Sequence, residues 1–196
     1  MSEIKTIGVC GAGTMGAGIA IVCARAGFRT RVFDLNQQAL ERARGQTEAF
    51  LRKSVERGKL AADKLPEIMA QWTGSTDLGE LSDCDLVIEA VFESLSVKHD
   101  LFAKLDKICA PKAIFASNTS TISITEIAGG SGRPDRFVGM HFCLPAQLMK
   151  LVEMSPGLTT SEETFARAWS VCEALGQKPV RTQDTPGFVL NYFLIP

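Results

Sequence analysis

The sequence predicts an α/β fold in which a doubly wound, mainly parallel sheet has helices on both faces. Two observations carry this prediction. Short strands rich in β-branched residues alternate with longer helical patterns over the first third of the 196 residues, which is typical of βαβ units. A glycine motif, Gly11-Ala-Gly-Thr-Met-Gly16, lies where the first strand meets the first helix. Together they indicate the Rossmann type of α/β fold.

The remaining elements follow from apolar runs and from helix stop signals such as Gly27. Five predicted strands cover residues 6–10, 29–33, 85–89, 113–117 and 136–140, and two more could cover 150–154 and 178–181 at the far side of the sheet. The predicted helices cover 14–26, a long charged stretch over 36–72 with a break near Gly58, and then 96–109, 124–128 and 161–175. We therefore expect a sheet of six or more strands.

Composition excludes several classes of protein. Hydrophobic residues make up 45% of the chain and charged residues 22%, which argues against disorder, collagen-like repeats and coiled coils. The 21 basic residues balance 22 acidic ones, so the net charge of -1 gives no reason to expect nucleic acid or a membrane surface as a partner. No apolar stretch approaches the length of about 18 residues that a membrane span needs.

The six cysteines contain no CxxC pair, and most lie in apolar surroundings. They are interpreted as small buried hydrophobic residues, with no disulfide framework and no metal site. Because apolar residues begin at Ile4 and run directly into the glycine motif, we expect no signal peptide. The sequence therefore predicts a cytoplasmic protein.

The last residues of the sequence predict a boundary between two domains. The segment from Asp184 to Pro196 resembles a turn followed by the opening of an apolar helix. We expect residues 1–185 to form a dinucleotide-binding domain. Residues 186–196 would then begin a linker helix to a second, helical domain that this chain lacks.

The glycine motif predicts a dinucleotide site. Gly11 permits a tight turn, Gly13 lets backbone N–H groups approach a pyrophosphate, and Gly16 allows close packing of the helix on the strand. The positive end of the helix dipole attracts the anion. A glycine-rich turn that binds nothing is the alternative, and the preceding strand and following helix argue against it.

Asp34 predicts which dinucleotide binds. It ends the second strand, 18 residues after Gly16, where a carboxylate can accept hydrogen bonds from the ribose hydroxyls of an adenosine. A carboxylate there would repel a 2′-phosphate, and no arginine follows within several residues. The sequence favours NAD over NADP, with FAD as a lesser alternative.

His141 and Glu153 form a candidate catalytic pair. His141 ends a predicted strand, at the sheet edge where ligands of open α/β sheets bind. Glu153 follows twelve residues later, and a turn through Pro145 could bring its carboxylate beside the imidazole. The imidazole could then act as a general base that the carboxylate orients. A structural histidine is the alternative on position alone.

Several motifs together resemble one family, and they span nearly the whole chain in a specific order. They are Gly11-Ala-Gly-Thr-Met-Gly16, Asp85-Leu-Val-Ile-Glu89-Ala, Ala116-Ser-Asn-Thr-Ser120, Asp135-Arg-Phe-Val-Gly-Met-His141-Phe, Lys150-Leu-Val-Glu153 and Pro186-Gly-Phe-Val-Leu-Asn191. This set resembles the amino-terminal, NAD-binding domain of the L-3-hydroxyacyl-CoA dehydrogenases.

The resemblance implies NAD-linked oxidation of the 3-hydroxyl group of an acyl-CoA, as in β-oxidation, or the reverse reduction. It implies that His141 accepts the hydroxyl proton while hydride passes to the nicotinamide, with Glu153 orienting the imidazole. Ser120 and Asn191 would hold the oxygen atoms of the substrate. The implied cofactor contacts are Gly11, Gly13, Thr14, Met15, Gly16, Asp34, Glu93, Lys98 and Ser120. The full-length protein would be a homodimer through the helical domain.

Two positions depart from the family pattern. Leu144 stands where the family usually has Asn, which removes an amide near the expected substrate site. Tyr192 stands where the family usually has Arg, which removes a charge from the start of the linker helix. Both differences bear on which acyl group the substrate carries. They favour a subfamily that accepts a different acyl group over a weakened enzyme.

A basic stretch between Glu41 and Leu60 includes Lys53 and Arg57, which could bind the 3′-phosphate of CoA. A solvated helix face explains the same charges equally well. Two functional alternatives also remain. One is a β-hydroxyacid or sugar-acid dehydrogenase that takes no CoA, and the other is an NAD-binding module with little activity of its own.

Overall fold

The computed structural model describes residues 4–185 and 187–188. Its centre is one eight-stranded sheet in the order β3-β2-β1-β4-β5-β6-β7-β8. The strands are β1 (Thr6–Cys10), β2 (Arg29–Phe33), β3 (Trp72–Ser75), β4 (Leu86–Glu89), β5 (Ile114–Ser117), β6 (Phe137–Phe142), β7 (Leu151–Pro156) and β8 (Lys178–Arg181). All neighbouring strands are parallel except β6 and β7, which are antiparallel. This topology confirms the predicted fold class.

Helices cover both faces of the sheet. They are α1 (Thr14–Arg25), α2 (Gln37–Glu56), α3 (Lys64–Gln71), α4 (Leu95–Ile108), α5 (Ile124–Ala128) and α6 (Glu162–Ala174). Apolar residues of α1, α2 and α6 pack in the core of one face. Apolar residues of α4 and α5 pack in the core of the other face. Strand β1 is buried along its whole length, as expected for a central strand of a parallel sheet covered on both sides.

The topology has a switch point between β1 and β4. The chain leaves β1 to build β2 and β3 on one side, then returns to build β4, β5 and β6 on the other. Crossover helices that leave β1 and β4 therefore lie on opposite faces of the sheet, and a crevice opens between them at the carboxyl ends of the strands. In open α/β sheets this crevice is where ligands bind.

One predicted element is wrong at its end. The helical stretch over 36–72 ends at Gln71, and Trp72 begins the edge strand β3. The backbone of Trp72 is paired with Thr30 of β2, and its ring is buried beneath α2. This short segment forms a strand because its pairing with β2 and the preference of aromatic residues for strands outweigh the local helical periodicity. The predicted break near Gly58 is confirmed, since the chain turns there before α3.

None of the helices in the described part of the chain is long and apolar enough to cross a membrane. Residues 186 and 189–196, the core of the predicted linker, lie outside the described residues, and the division at residue 185 stays a prediction.

The cysteines are mostly buried as predicted, with only Cys143 partly exposed. Burial raises the pKa of the Cys23 thiol to about 12.

Helix α2 offers a test of the fold. Gly45 lies in its interior and is exposed, and a Cβ atom built there meets nothing within 4 Å. Gly45→Ala should raise the free energy of unfolding by about 0.5–1 kcal/mol, because alanine loses less backbone entropy in a helix. Urea denaturation measures the change. A decrease would show that α2 is not helical at this position. Gly16→Ala is the matched comparison and should lower the same free energy, since its Cβ would collide with the Gly11 carbonyl.

Candidate active site

The turn between β1 and α1 requires glycine at two positions for steric reasons. Gly11 has a φ of +98°, and a Cβ atom there would lie 2.6 Å from the carbonyl oxygen of Ala90. A Cβ atom on Gly16 would collide with the carbonyl of Gly11. Glycine therefore lets α1 begin directly against the carboxyl ends of β1 and β4.

The same turn leaves a cradle that faces outward. Gly13 is exposed, and a Cβ atom built on it meets nothing within 4 Å. Gly13 is the N-cap of α1 and has no side-chain hydrogen bond that caps the helix. The first N–H groups of a helix, here those of Thr14 and Met15, have no intrahelical acceptor. Uncapped N–H groups at an accessible helix N-terminus fit a pyrophosphate.

Asp34 lies beside this cradle at the end of β2. Its Oδ2 accepts a hydrogen bond of 2.7 Å from the N–H of Ala12, and its Oδ1 accepts one of 2.9 Å from the N–H of Asn36. These bonds fix the carboxylate against the glycine turn. Each oxygen keeps a further lone pair that can accept a ribose hydroxyl. The turn and Asp34 together fit the adenosine and pyrophosphate of NAD.

Glu93 and Lys98 follow β4 and belong to one ionic network. Lys98 is 1% exposed, and its Nζ lies 2.7 Å from Oε1 of Glu89 and 3.1 Å from Oε2 of Glu93. The buried Glu89 also accepts hydrogen bonds from Ser117 Oγ and from the N–H of Val91. The ammonium group of Lys98 is therefore enclosed by protein carboxylates. Its predicted direct contact with the cofactor stays a prediction.

Glu93 joins the loop after β4 to the loop after β5. Its Oε1 accepts hydrogen bonds from Thr119 Oγ1, the N–H of Ser120, and both the N–H and the Oγ1 of Thr121. Burial opposes ionisation of Glu93, but the bond from Thr119 and the charge of Lys98 outweigh it and lower the pKa from 4.5 to about 2. The network thus holds Ser120, which is half-buried, at the edge of the crevice.

His141 and Glu153 are opposite each other in the antiparallel ladder of β6 and β7. The Nδ1 of His141 lies 2.8 Å from Oε2 of Glu153. The imidazole is 13% exposed, whereas the carboxylate is 2% exposed. A proton on Nδ1 donates to the carboxylate, which leaves the Nε2 lone pair available as a proton acceptor. The predicted pairing of these two side chains is confirmed.

Asn118 is a contributor that the sequence reasoning did not single out. Its Oδ1 accepts a hydrogen bond of 2.8 Å from the N–H of Phe142, the residue after His141. The amide therefore joins the end of β5 to the end of β6. The Ser-Asn-Thr-Ser string after an apolar strand was the available signal, because polar residues at strand ends lie where ligands bind.

The described side chains thus lie in one row. Asp34 ends β2, the glycine turn follows β1, Glu93 follows β4, Ser120 follows β5 and His141 lies on β6, and these strands are neighbours. Four spacings of about 4.8 Å place β2 roughly 19 Å from β6. The row forms an extended crevice with a phosphate cradle near one end and a proton acceptor at the other.

Other predicted site residues lie elsewhere. Asn191 and Tyr192 lie outside the described residues. Lys53 and Arg57 are exposed at the carboxyl end of α2, and neither forms an ion pair with another described residue. Sixteen residues separate Lys53 from the start of α2 at Gln37, about 24 Å along the helix. Leu144 is 60% exposed in the loop between β6 and β7.

Comparisons with known proteins agree with this geometry. Residues 6–185 match the family model of the 3-hydroxyacyl-CoA dehydrogenase NAD binding domain. A probable 3-hydroxybutyryl-CoA dehydrogenase of Deinococcus radiodurans is 47% identical over 96% of this chain, which spans 68% of that protein.

Solved structures give the same result. The 3-hydroxybutyryl-CoA dehydrogenase of Escherichia coli superimposes with a TM-score of 0.94 at 42% identity, and the match covers 97% of this chain and 40% of that one. The (S)-3-hydroxybutyryl-CoA dehydrogenase of Ralstonia eutropha gives a TM-score of 0.95 at 38% identity, over 98% of this chain and 68% of that one. The predicted cofactor, NAD, is confirmed by the family match.

The phosphate cradle can be tested separately from folding. Gly13→Ala adds a methyl group that meets no protein atom but occupies the space in front of the helix N-terminus. We expect the melting temperature to be maintained and the Kd for NAD to rise by about tenfold, a loss of roughly 1.4 kcal/mol. Titration calorimetry measures binding, with Gly45→Ala as the control that adds the same methyl group on α2. Unchanged NAD binding would remove Gly13 from the site.

Proposed function

The chain belongs to the NAD-binding domain family of the 3-hydroxyacyl-CoA dehydrogenases, and on that premise we propose that it oxidises the 3-hydroxyl of an L-3-hydroxyacyl-CoA to a 3-oxo group, or catalyses the reverse reduction. The observation that carries the proposal is the contact of 2.8 Å between His141 and Glu153 at the end of the dinucleotide crevice. A base in this position has both a partner that orients it and access to ligand.

His141 is proposed as the general base. In the oxidation the hydroxyl proton moves to Nε2 of His141, the C3–O bond becomes a carbonyl, and the C3–H bond breaks with its electron pair. Bound NAD supplies the acceptor for that hydride. Glu153 keeps the proton on Nδ1, so that Nε2 can accept, and its charge stabilises the imidazolium that forms. Because Glu153 is 2% exposed, water screens this interaction little.

Ser120 and Asn191 are proposed to position the substrate oxygens. Ser120 lies after β5, next to the strand that carries His141, so a hydroxyl held by both side chains would be aligned for proton transfer. Leu144, three residues after His141, has an exposed apolar side chain in the loop between β6 and β7. It favours an acyl group without a polar substituent at that point.

Lys53 and Arg57 are proposed to bind the 3′-phosphate of CoA. Both are exposed cations on one end of α2, and neither is neutralised by an ion pair within the described residues. CoA is a long ligand, so its phosphate end can lie far from the carbon that reacts. Charge-assisted contacts to a phosphate would add affinity for CoA esters and would discriminate against free acids.

The wider organisation is proposed from the relatives. We propose that residues 1–185 form the NAD-binding domain and that 186–196 begin the connection to a helical domain. We propose that this domain makes the homodimer contact and that the protein acts in the cytoplasm. Gel filtration and light scattering of a protein that includes the helical domain would test the dimer.

His141 provides the direct test of the reaction. His141→Gln should lower kcat for the oxidation of NADH by acetoacetyl-CoA by about 10² to 10⁴, because in this direction His141 returns the proton as a general acid and general acid–base catalysis contributes that factor. The Kd for NAD should be unchanged. The matched control is His99→Gln, which removes the other histidine of the chain, on α4, and should keep kcat.

The outcomes separate the alternatives. Equal activity in His141→Gln and the unmodified chain would reject His141 as the base. Oxidation of free hydroxy acids, with no turnover of the CoA ester, would favour the dehydrogenase that takes no CoA. NAD binding without turnover of either substrate would favour the binding module.

The CoA contact has its own test. Lys53→Gln combined with Arg57→Gln should raise KM for acetoacetyl-CoA by about thirtyfold, since two charge-assisted contacts to phosphate are lost and each contributes roughly 1 kcal/mol. KM for the pantetheine ester, which has no 3′-phosphate, should stay constant. Lys104→Gln with Lys107→Gln removes two exposed charges from α4 and serves as the control. An equal rise for both substrates would discard the phosphate role.

A further inference from the structure

Among the described residues, the imidazole of His141 has one polar partner, the carboxylate of Glu153. The ring can still turn about its Cβ–Cγ bond, and such a turn carries Nδ1 away from Glu153 Oε2, which lies 2.8 Å from it, and changes the direction of Nε2. A packing contact that resists this turn keeps Nδ1 on the carboxylate and Nε2 in one direction. The proposed reaction depends on that direction, since the hydroxyl proton must meet the Nε2 lone pair.

Phe188 supplies a contact of this kind. Its ring centroid lies 5.5 Å from that of His141, with 30° between the ring planes. The Phe188 side chain is only 5% exposed and packs within the apolar core on the face of α4 and α5. The imidazole thus has a carboxylate at Nδ1 and a buried aromatic ring beside it, tilted by 30° from its plane.

The backbone at Phe188 is in an unusual conformation. Its φ is +45°, in the left-handed region that a residue with a bulky side chain rarely adopts, and Gly187 before it has a φ of +86°. Such a conformation costs energy and persists only where its surroundings enforce it, and it is common at functional sites. The turn directs the Phe188 ring toward His141 at this cost.

Asp184 anchors the segment that makes this turn. Its carboxylate accepts hydrogen bonds from Ser123 Oγ, the N–H of Ile124, and both the N–H and Oγ1 of Thr125, at 2.6 to 2.9 Å. These donors form the start of α5, about 60 residues earlier in the chain. The anchor lies four residues before Phe188 and ties the segment to the loop that carries Ser120.

We propose that Phe188, held by the Asp184 anchor, is a positioning residue that fixes the orientation of the His141 imidazole for proton transfer. This role rests on the function proposed for His141, and Phe188 fulfils it only through its contact with the imidazole. Phe188 itself touches no reacting atom in this assignment. Its planar face, more than its apolar volume, restricts rotation of the imidazole.

The two histidines of the chain allow a direct readout of this role. His141 bonds to a carboxylate through Nδ1, whereas His99 bonds to the carbonyl of Glu126 through Nε2 at 2.8 Å. In their neutral forms His141 should therefore carry its proton on Nδ1 and His99 on Nε2. Nitrogen-15 NMR of histidine-labelled protein distinguishes these tautomers without substrate or cofactor.

The experiment compares Phe188→Ala, Phe188→Leu and Phe188→Tyr with Phe165→Ala as the matched control. Phe165 is 6% exposed, similar to Phe188, and lies on α6 against Trp169. We expect Phe188→Ala and Phe188→Leu to increase the Nε2–H form of His141 and to lower kcat by about tenfold, with the Kd for NAD unchanged. Phe188→Tyr should restore both, and Phe165→Ala should change neither.

The outcomes are decisive even if one variant is unstable. Should Phe188→Ala fail to fold, Phe188→Leu keeps the apolar volume and tests the ring alone. A His141 tautomer that is unchanged in Phe188→Leu would overturn the positioning role, as would full restoration of kcat by leucine. Because the tautomer is measured without substrate, that result is distinguishable from a failure of the proposed function. The latter would appear as no turnover of acyl-CoA by the unmodified chain.

Discussion

Neighbouring parallel strands must end at the same edge of a sheet, and the candidate site of this protein depends on that constraint. The carboxyl ends of β2, β1, β4, β5 and β6 are adjacent, although the residues that follow them are far apart in sequence. Each strand contributes one group to the crevice. The antiparallel return of β7 adds Glu153 directly opposite His141, which a further parallel strand could not do without a long crossover.

The groups in the crevice are held mainly by hydrogen bonds between loops. Glu93 joins the loops after β4 and β5, Asn118 joins the ends of β5 and β6, and Asp184 joins the last described segment to α5. The enclosed Lys98 neutralises part of the charge of two carboxylates. A buried ion pair adds little net stability, but the loss of one partner would leave an unpaired charge. We interpret the network as a device for geometry more than for stability.

Much of this arrangement could be predicted from the sequence, because its signals are local. The glycine turn, Asp34 at a strand end and the spacing of twelve residues between His141 and Glu153 all follow from motifs or from one hairpin-like turn. Strand β3 was missed because four residues beginning at Trp72 carry too little periodicity to oppose a preceding helical pattern. Its pairing with β2 is a tertiary effect.

The contacts of Asn118, Asp184 and Phe188 could not be predicted in this way. They join residues that are 24, about 60 and 47 positions apart, and only the folded sheet brings them together. The burial of Lys98 could not be predicted either, since a lysine in a helical pattern is ordinarily assigned to the solvent face. Of these residues, the resemblance to the family named only Lys98, as a cofactor contact, and it gave no account of the carboxylates of Glu89 and Glu93 that enclose it.

Strand β8, at one of the two edges of the sheet, has a consequence for how copies of this protein can associate. An unpaired strand edge usually invites another chain to extend the sheet. Here Pro179 has no N–H to donate, and the neighbouring Lys178 is exposed. An approaching strand would meet a positive charge and an incomplete row of donors, so fibre-like growth through this side of the molecule is disfavoured.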